Sequence, residues 1–276
     1  MKMKAKIFSE HRCSLGEGIY FEPCSRYLYW VDIHQSNILR KNVDEWESRT
    51  EVFNVGNQPS TILNVNNDIV TFVDKIGVKA FNTKDLSCYL KGQIPNSDLD
   101  TPYRANDGVV LSDGSALFGT MHEKLNENVG FLYKYKNGMV HKLSTQFHIP
   151  NTFVEKDKTI LISDSFEKKI YAVSMDAEHS EKKLWADFSD CDFTPDGGCK
   201  ASFGNIYISL WDGSAIVELD SHANIVRRYD LPVLRPTNCH LVDKRWLFIT
   251  SAKSPSLIND SVSGMVLCLD LGGEVE

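Results

Sequence analysis

The sequence has no run of about 18 apolar residues, the least a helix needs to cross a bilayer. Its first ten residues, MKMKAKIFSE, lack the apolar core and small-residue cleavage site of a secretory signal. No membrane partner is expected, and a cytoplasmic location is. A basic field is absent too: the net charge is −7, the pI is near 5.6, and no Lys/Arg cluster interleaves with aromatics. That argues against nucleic acid as a partner. The seven cysteines (Cys13, Cys24, Cys88, Cys191, Cys199, Cys239, Cys268) are odd in number, widely spaced and never form C-x-x-C. Most read as small buried hydrophobes, and spacing alone leaves a Cys13–Cys24 disulfide open. H-E-x-x-H, G-x-S-x-G, P-loop and dinucleotide fingerprints are all missing. Nor does any stretch hold a 3.6-residue apolar period long enough for a substantial helix.

What is present is a succession of short β-type runs separated by turn clusters. Six are strongly apolar: YLYWVDI (27–33), DIVTFVD (68–74), ALFGTM (116–121), TILISDS (159–165), NIYISLW (205–211) and WLFITSA (246–252). A second run of the same kind follows each, and in most units a third, more polar one follows that, as expected of an outer edge. Upstream of each apolar run lies one more segment: LGEGIYF, QPSTILN, RANDGVV, IPNTFVE, TPDGGCK and RPTNCHL. Aligning these puts Glu17, Ser60, Asn106, Asn151, Asp196 and Thr237 in register at intervals of roughly 41 to 46 residues, the repeat length of four-stranded propeller blades. The expected fold is all-β, a six-bladed β-propeller with four antiparallel strands per blade, forming one domain over residues 1–276. The strand-like KAKIFSE at the start would complete the last blade and close the ring.

In a propeller these register positions form one ring at one end of the channel. All six carry a side-chain oxygen. Turn chemistry also favours Ser, Asn, Asp and Thr, and it accounts better for Ser60 and Thr237 taken singly. Glu17 does not fit it. Arg104 and Asp107 flank Asn106, so a cation and a carboxylate gather where a strand begins, which suggests a site.

Five ordered blocks, GEGIYFEP…YLYWVDI, RANDGVVLSDGSALFGTM, PNTFVEKDKTILISDS, PDGGCKASFGNIYISLWDGSAIVELD and LPVLRPTNCHLVDKRWLFITSA, resemble the signature blocks of the SMP-30/gluconolactonase/regucalcin family. The resemblance runs from about residue 13 to residue 252. It implies a six-bladed propeller holding one divalent ion at the top of its channel and hydrolysing sugar lactones or related esters. Carried over position by position, it implies Glu17, Asn151 and Asp196 as metal ligands, and Arg104 and Asn106 as substrate contacts, with Glu123 beside them. The sequence departs from the pattern in places. Lys124 stands where the second acid of a pair is common, Thr152 where glycine usually follows the ligand asparagine, and Gly198 where a bulkier apolar residue is common.

Two carboxylates and an amide oxygen, with no His or Cys in the ring, make a hard oxygen site. Such a site suits Ca²⁺ first, then Mg²⁺ or Mn²⁺, with Zn²⁺ less favoured. Three protein ligands leave coordination positions for water and a substrate oxygen. Asp196 is the candidate catalytic base, and Arg104 and Asn106 suit a polyhydroxylated sugar-acid lactone. A calcium-binding regulatory protein without turnover, or an esterase or phosphotriesterase, would use the same ring. A monomer or weak homodimer is expected. The loop from His122 to Asn128 is the candidate cover.

Overall fold

The computed structural model describes residues 4–124, 129–156, 158–174, 181–201, 204–254 and 261–272. The six apolar runs lie in strands that are second from the centre of six four-stranded sheets. From the channel outward, blade 1 is Gly16–Glu22, Tyr27–Asp32, Asn37–Asn42 and Glu51–Asn54, and blade 2 is Thr61–Asn66, Ile69–Val73, Gly77–Asn82 and Cys88–Gln93. Blade 3 is Tyr103–Val110, Ala116–His122, Gly130–Lys136 and Met139–Phe147, and blade 4 is Pro150–Lys156, Thr159–Asp164, Lys169–Ser174 and Lys182–Asp187. Blade 5 is Thr194–Lys200, Ile206–Trp211, Ala215–Leu219 and Ile225–Asp230. Blade 6 takes Pro236–Val242, Trp246–Ser251 and Val266–Asp270, and its outermost strand is Lys6–Ser9 from the start of the chain. Every pairing is antiparallel. The all-β, six-bladed β-propeller expected from the repeats is the observed fold. Among the described residues no helix is long and apolar enough to cross a membrane.

The apolar runs are continuous because both of their faces are covered. In Tyr27–Asp32, Leu28 and Trp30 pack with residues of blade 6, while Tyr29 and Val31 pack with blade 2. The same alternation recurs around the ring and yields a buried cluster at each blade–blade interface. A strand buried on both sides loses the apolar–polar alternation of a half-buried one. The outermost strands show the contrary pattern: Cys88–Gln93 and Ile225–Asp230 are exposed along most of their length.

Closure joins the two ends of the chain. Lys6 pairs with Cys268 and Ile7 with Leu267, Phe8 packs edge-on against Phe248, and Arg26 of blade 1 reaches Asp243 of blade 6 at 2.8 Å. Cys13 and Cys24 are both free thiols.

In blades 1, 3, 4, 5 and 6 the pairing of the two inner strands slips at the ring position, so that two residues face one across the sheet. These are β-bulges, which re-aim side chains. The bulged residues are Asn106 and Asp107, Asp196 and Gly197, and Thr237 and Asn238 in blades 3, 5 and 6. In blades 1 and 4, opposite each other in the ring, the bulge starts one residue later, at Gly18 and Thr152. Both of those take positive φ, +56° and +76°.

Candidate active site

Four ring residues, Glu17, Asn106, Asn151 and Asp196, line one cavity of about 360 Å³ together with Arg104 and Ser165. Leu15, Met121, Ile149, Phe166 and Trp211 supply apolar walls around this polar floor. All four ring side chains are buried. Ser60 and Thr237 share their register but not their role. Ser60 Oγ donates to the Val73 carbonyl, and Thr237 Oγ1 donates to the Gly16 carbonyl and sits 2.8 Å from Thr250 Oγ1.

A chain of hydrogen bonds crosses three blades beneath the cavity. Arg104 Nη1 donates to Asn106 Oδ1 at 2.7 Å, and Asn106 Nδ2 donates to Asn151 Oδ1 at 2.8 Å and to the Pro150 carbonyl at 3.1 Å. Asn151 Nδ2 donates to Ser165 Oγ at 2.9 Å, and Ser165 Oγ donates to the Pro195 carbonyl at 2.7 Å. With its nitrogen held by Ser165, Asn151 presents its oxygen to the ring, which is the atom a hard cation needs. Thr152 Oγ1 donates to the Asp196 carbonyl at 2.7 Å, a second tie between blades 4 and 5. At the interfaces of blades 1 with 2 and 5 with 6, glycine allows close approach instead. A β-carbon on Gly18 would lie 2.6 Å from the Ser60 carbonyl oxygen, and one on Gly197 would lie 2.4 Å from the Asn238 amide carbon.

The electrostatics are lopsided. Glu17 and Asp196 are held well above the usual carboxylate range, first by burial and then by the charges of neighbouring carboxylates, Asp107 among them. Burial also raises Asp107, to about 7, against hydrogen bonds from the Gly108 and Thr152 backbone. Arg104, itself lowered by burial, is the cation that offsets Glu17 and Asp196. Asp107 Oδ2 is buried with no hydrogen-bond partner among the described residues. Glu17 and Asp196 share one guanidinium and are further raised by Asp107, so the site is short of positive charge, and a divalent cation would supply it. The oxygen donors of Glu17, Asn151 and Asp196 therefore fit such an ion.

Beyond the ring the channel opens into a second cavity of about 380 Å³, lined by Gly18, Thr61, Asp107, Thr152, Gly198 and Asn238 among others. The second chamber begins with the residues that follow the ring positions: Gly18, Thr61, Asp107, Thr152 and Asn238. Asp107 was visible in the sequence as a carboxylate at a strand mouth but had no assigned role. Ser165 gave no signal there.

Glu123 stands near Arg104, where its charge acts on the guanidinium. Its Oε1 is 3.1 Å from Lys75 Nζ, and it does not line the cavity. The expected cover from His122 to Asn128 lies partly outside the described residues, at 125–128. Elsewhere, two groups bring three potential ligands within 4.8 Å of one another: His11, Cys13 and Asp32, and His148, Asp164 and Glu167. In both, the aspartate already accepts backbone N–H bonds, Asp32 from Ser14, Leu15 and Gln35 and Asp164 from His148, Ile149 and Phe166. That is the work of a loop anchor.

Pentonolactonase XacC of Haloferax volcanii is 24% identical over 259 residues, covering 87% of this chain and 82% of that protein. Regucalcin of Pongo abelii is 24% identical over 274 residues, covering 91% and 87%. Among solved structures, a calcium-binding protein, regucalcin, from Agrobacterium tumefaciens superposes with a TM-score of 0.88 at 21% identity, covering 98% of this chain and 94% of that one. Residues 15–253 match the family described as SMP-30/Gluconolactonase/LRE-like region, and the chain belongs to that family.

Proposed function

We propose that the protein is a lactonase that opens a sugar-acid lactone to the aldonic acid, with one divalent cation, Ca²⁺ favoured, held by Glu17, Asn151 and Asp196. The observation that carries this is the cluster of buried carboxylates opposite a single arginine, next to an asparagine whose oxygen is turned to the ring. Lactonase activity in a relative of similar length supports the reaction class.

When bound, the cation would polarise the lactone carbonyl and favour the charge that develops on its oxygen. The chain's own residues do the rest. Asp196 takes the proton of the attacking water as the new C–O bond forms, and returns it to the ring oxygen as the old C–O bond breaks. Arg104 has Nη1 tied to Asn106 and to the Ala105 carbonyl, so its orientation is fixed before substrate arrives. Its remaining N–H groups are the donors for substrate oxygens. Asn106 holds Arg104 on one side and Asn151 on the other, which couples substrate binding to the ion site. Glu123, with Oε1 on Lys75, would offer its second oxygen to a substrate hydroxyl.

The test is acid release from a panel of aldonolactones, with and without a chelator, alongside thermal unfolding. Turnover lost with chelator and restored by Ca²⁺ is expected. Saturating Ca²⁺ at about 100 times Kd should add about 2.7 kcal/mol of stability. Turnover unaffected by exhaustive chelation would remove the ion from the mechanism. A Ca²⁺-raised melting point without hydrolysis of any lactone would instead leave a calcium binder.

A further inference from the structure

Thr152 opens the bulge of blade 4 at φ +76°, followed by Phe153 at +45°. Across the channel, blade 1 builds the equivalent bulge with Gly18, also at positive φ. Blade 4 thus places a β-branched residue in a conformation that glycine adopts freely and threonine resists. Such strain persists only where the surroundings over-determine it. Here they do, because Oγ1 donates to the Asp196 carbonyl at 2.7 Å and pairs with Ser163 Oγ at 3.1 Å. The residue is 2% exposed, so both hydroxyl bonds are buried.

Other ties between inner strands reach one member of the proposed ion site at most: Asn106 Nδ2 meets Asn151 Oδ1, and Thr237 Oγ1 meets the Gly16 carbonyl beside Glu17. The Thr152 tie runs from the residue next to Asn151 to the backbone of Asp196, so its two ends belong to two of the groups proposed to hold the cation. Those groups come from different blades, and their separation is set by the interface between them. Resting on the ion-binding reading above, we propose that Thr152 is a positioning residue for the cation: its hydroxyl fixes the spacing and orientation of Asn151 and Asp196 at the cost of local backbone strain. A glycine would relieve the strain and lose the hydroxyl. Valine would keep the shape and lose the hydroxyl, and serine would keep the hydroxyl without the branch.

The experiment compares Ca²⁺ binding by titration calorimetry, and unfolding with and without Ca²⁺, in the wild type, Thr152→Gly, Thr152→Val and Thr152→Ser. Thr152→Val and Thr152→Gly should weaken Ca²⁺ binding by about tenfold or more, the usual effect of removing a group that orients a ligand, and Thr152→Ser by no more than about twofold. The calcium-free melting point of Thr152→Gly should lie at or above that of Thr152→Val, because both lose the hydroxyl bonds and only the glycine relieves the strain. A merely structural role gives the contrary pattern, lower calcium-free melting points with unchanged Ca²⁺ affinity, and would overturn the proposal. Should Thr152→Gly fail to fold, Thr152→Val against Thr152→Ser decides it. A wild type that binds no Ca²⁺ overturns the ion site itself, whereas a binding wild type with equally tight Thr152→Val overturns only the role of Thr152.

Discussion

Blades 2 and 6 flank blade 1, and their ring residues, Ser60 and Thr237, stand in the same register as Glu17, Asn106, Asn151 and Asp196. The two sides of the ring nevertheless do different work. Ser60 and Thr237 direct short hydroxyls into backbone carbonyls, one within its own blade and one across the interface to Gly16, beside Glu17. The other four present carboxylate and amide oxygens to a common cavity. One backbone position therefore provides burial and orientation in every blade, and the chemistry of the side chain decides whether it becomes a fastener or part of a site. A short hydroxyl finds a carbonyl within reach, while a buried carboxylate has too few donors and calls for a cation.

The sharpest break of that contrast is Asp196→Asn against Thr237→Val. Loss of the proton acceptor in Asp196→Asn should lower kcat by about 10³-fold, within the usual range for a general base. The Ca²⁺-induced rise in melting point should shrink as well. Thr237→Val should leave kcat close to the wild type and lose about 1–3 kcal/mol of stability, because the Gly16 carbonyl is left buried without its donor. Equal losses of turnover in the two variants would erase the distinction between the two sides.

A smaller effect separates the ring from the residue below it. With its pKa raised from 3.8 to about 7, Asp107 binds its proton more tightly in the folded protein than in the unfolded chain. The folded state then holds more protons across that interval, so the stability of the ion-free protein falls as pH rises through it. The raised pKa values of Glu17 and Asp196 act in the same direction. Melting curves of chelated protein from about pH 5 to about pH 8 should show the decline, Asp107→Asn should flatten part of it, and Ca²⁺ should oppose it most at the upper end. A chelated protein whose melting point climbs over that range would contradict the electrostatic picture.

The fold was legible in the sequence because strands covered on both faces read as unbroken apolar runs, and because the run recurs with a side-chain oxygen at one fixed offset. The ring followed from that offset. What stayed hidden traces to the bulges. A regular strand alternates, so the residue after Asn106 should point away from the channel, yet the two-for-one bulge lets Asp107 line it one step below. The one-residue delay of the bulge in blades 1 and 4 is invisible in a sequence alignment, and with it the positive φ of Thr152. The Gly198 departure has a packing cause: a β-carbon there would lie 2.4 Å from the Tyr207 carbonyl oxygen. The partner of Glu123, Lys75, comes from the loop of a neighbouring blade, a contact that no local pattern announces.

The smallest expected change tests the fastener side at its weakest point. Ser60 is fully buried, but its hydroxyl bond to Val73 is 3.3 Å long and stays within one blade. The Val73 carbonyl also accepts the Ser60 backbone N–H at 2.9 Å, so it keeps a donor when the hydroxyl is removed. Ser60→Ala should therefore cost less than about 1 kcal/mol, the low end for a hydrogen bond whose acceptor remains satisfied. Denaturant unfolding measures this directly, with kcat, KM and the Ca²⁺ response left at wild-type values. A Ser60→Ala variant with a weakened Ca²⁺ response would mean that the hydroxyl acts on the site, and the ring would then be functional on five of its six sides.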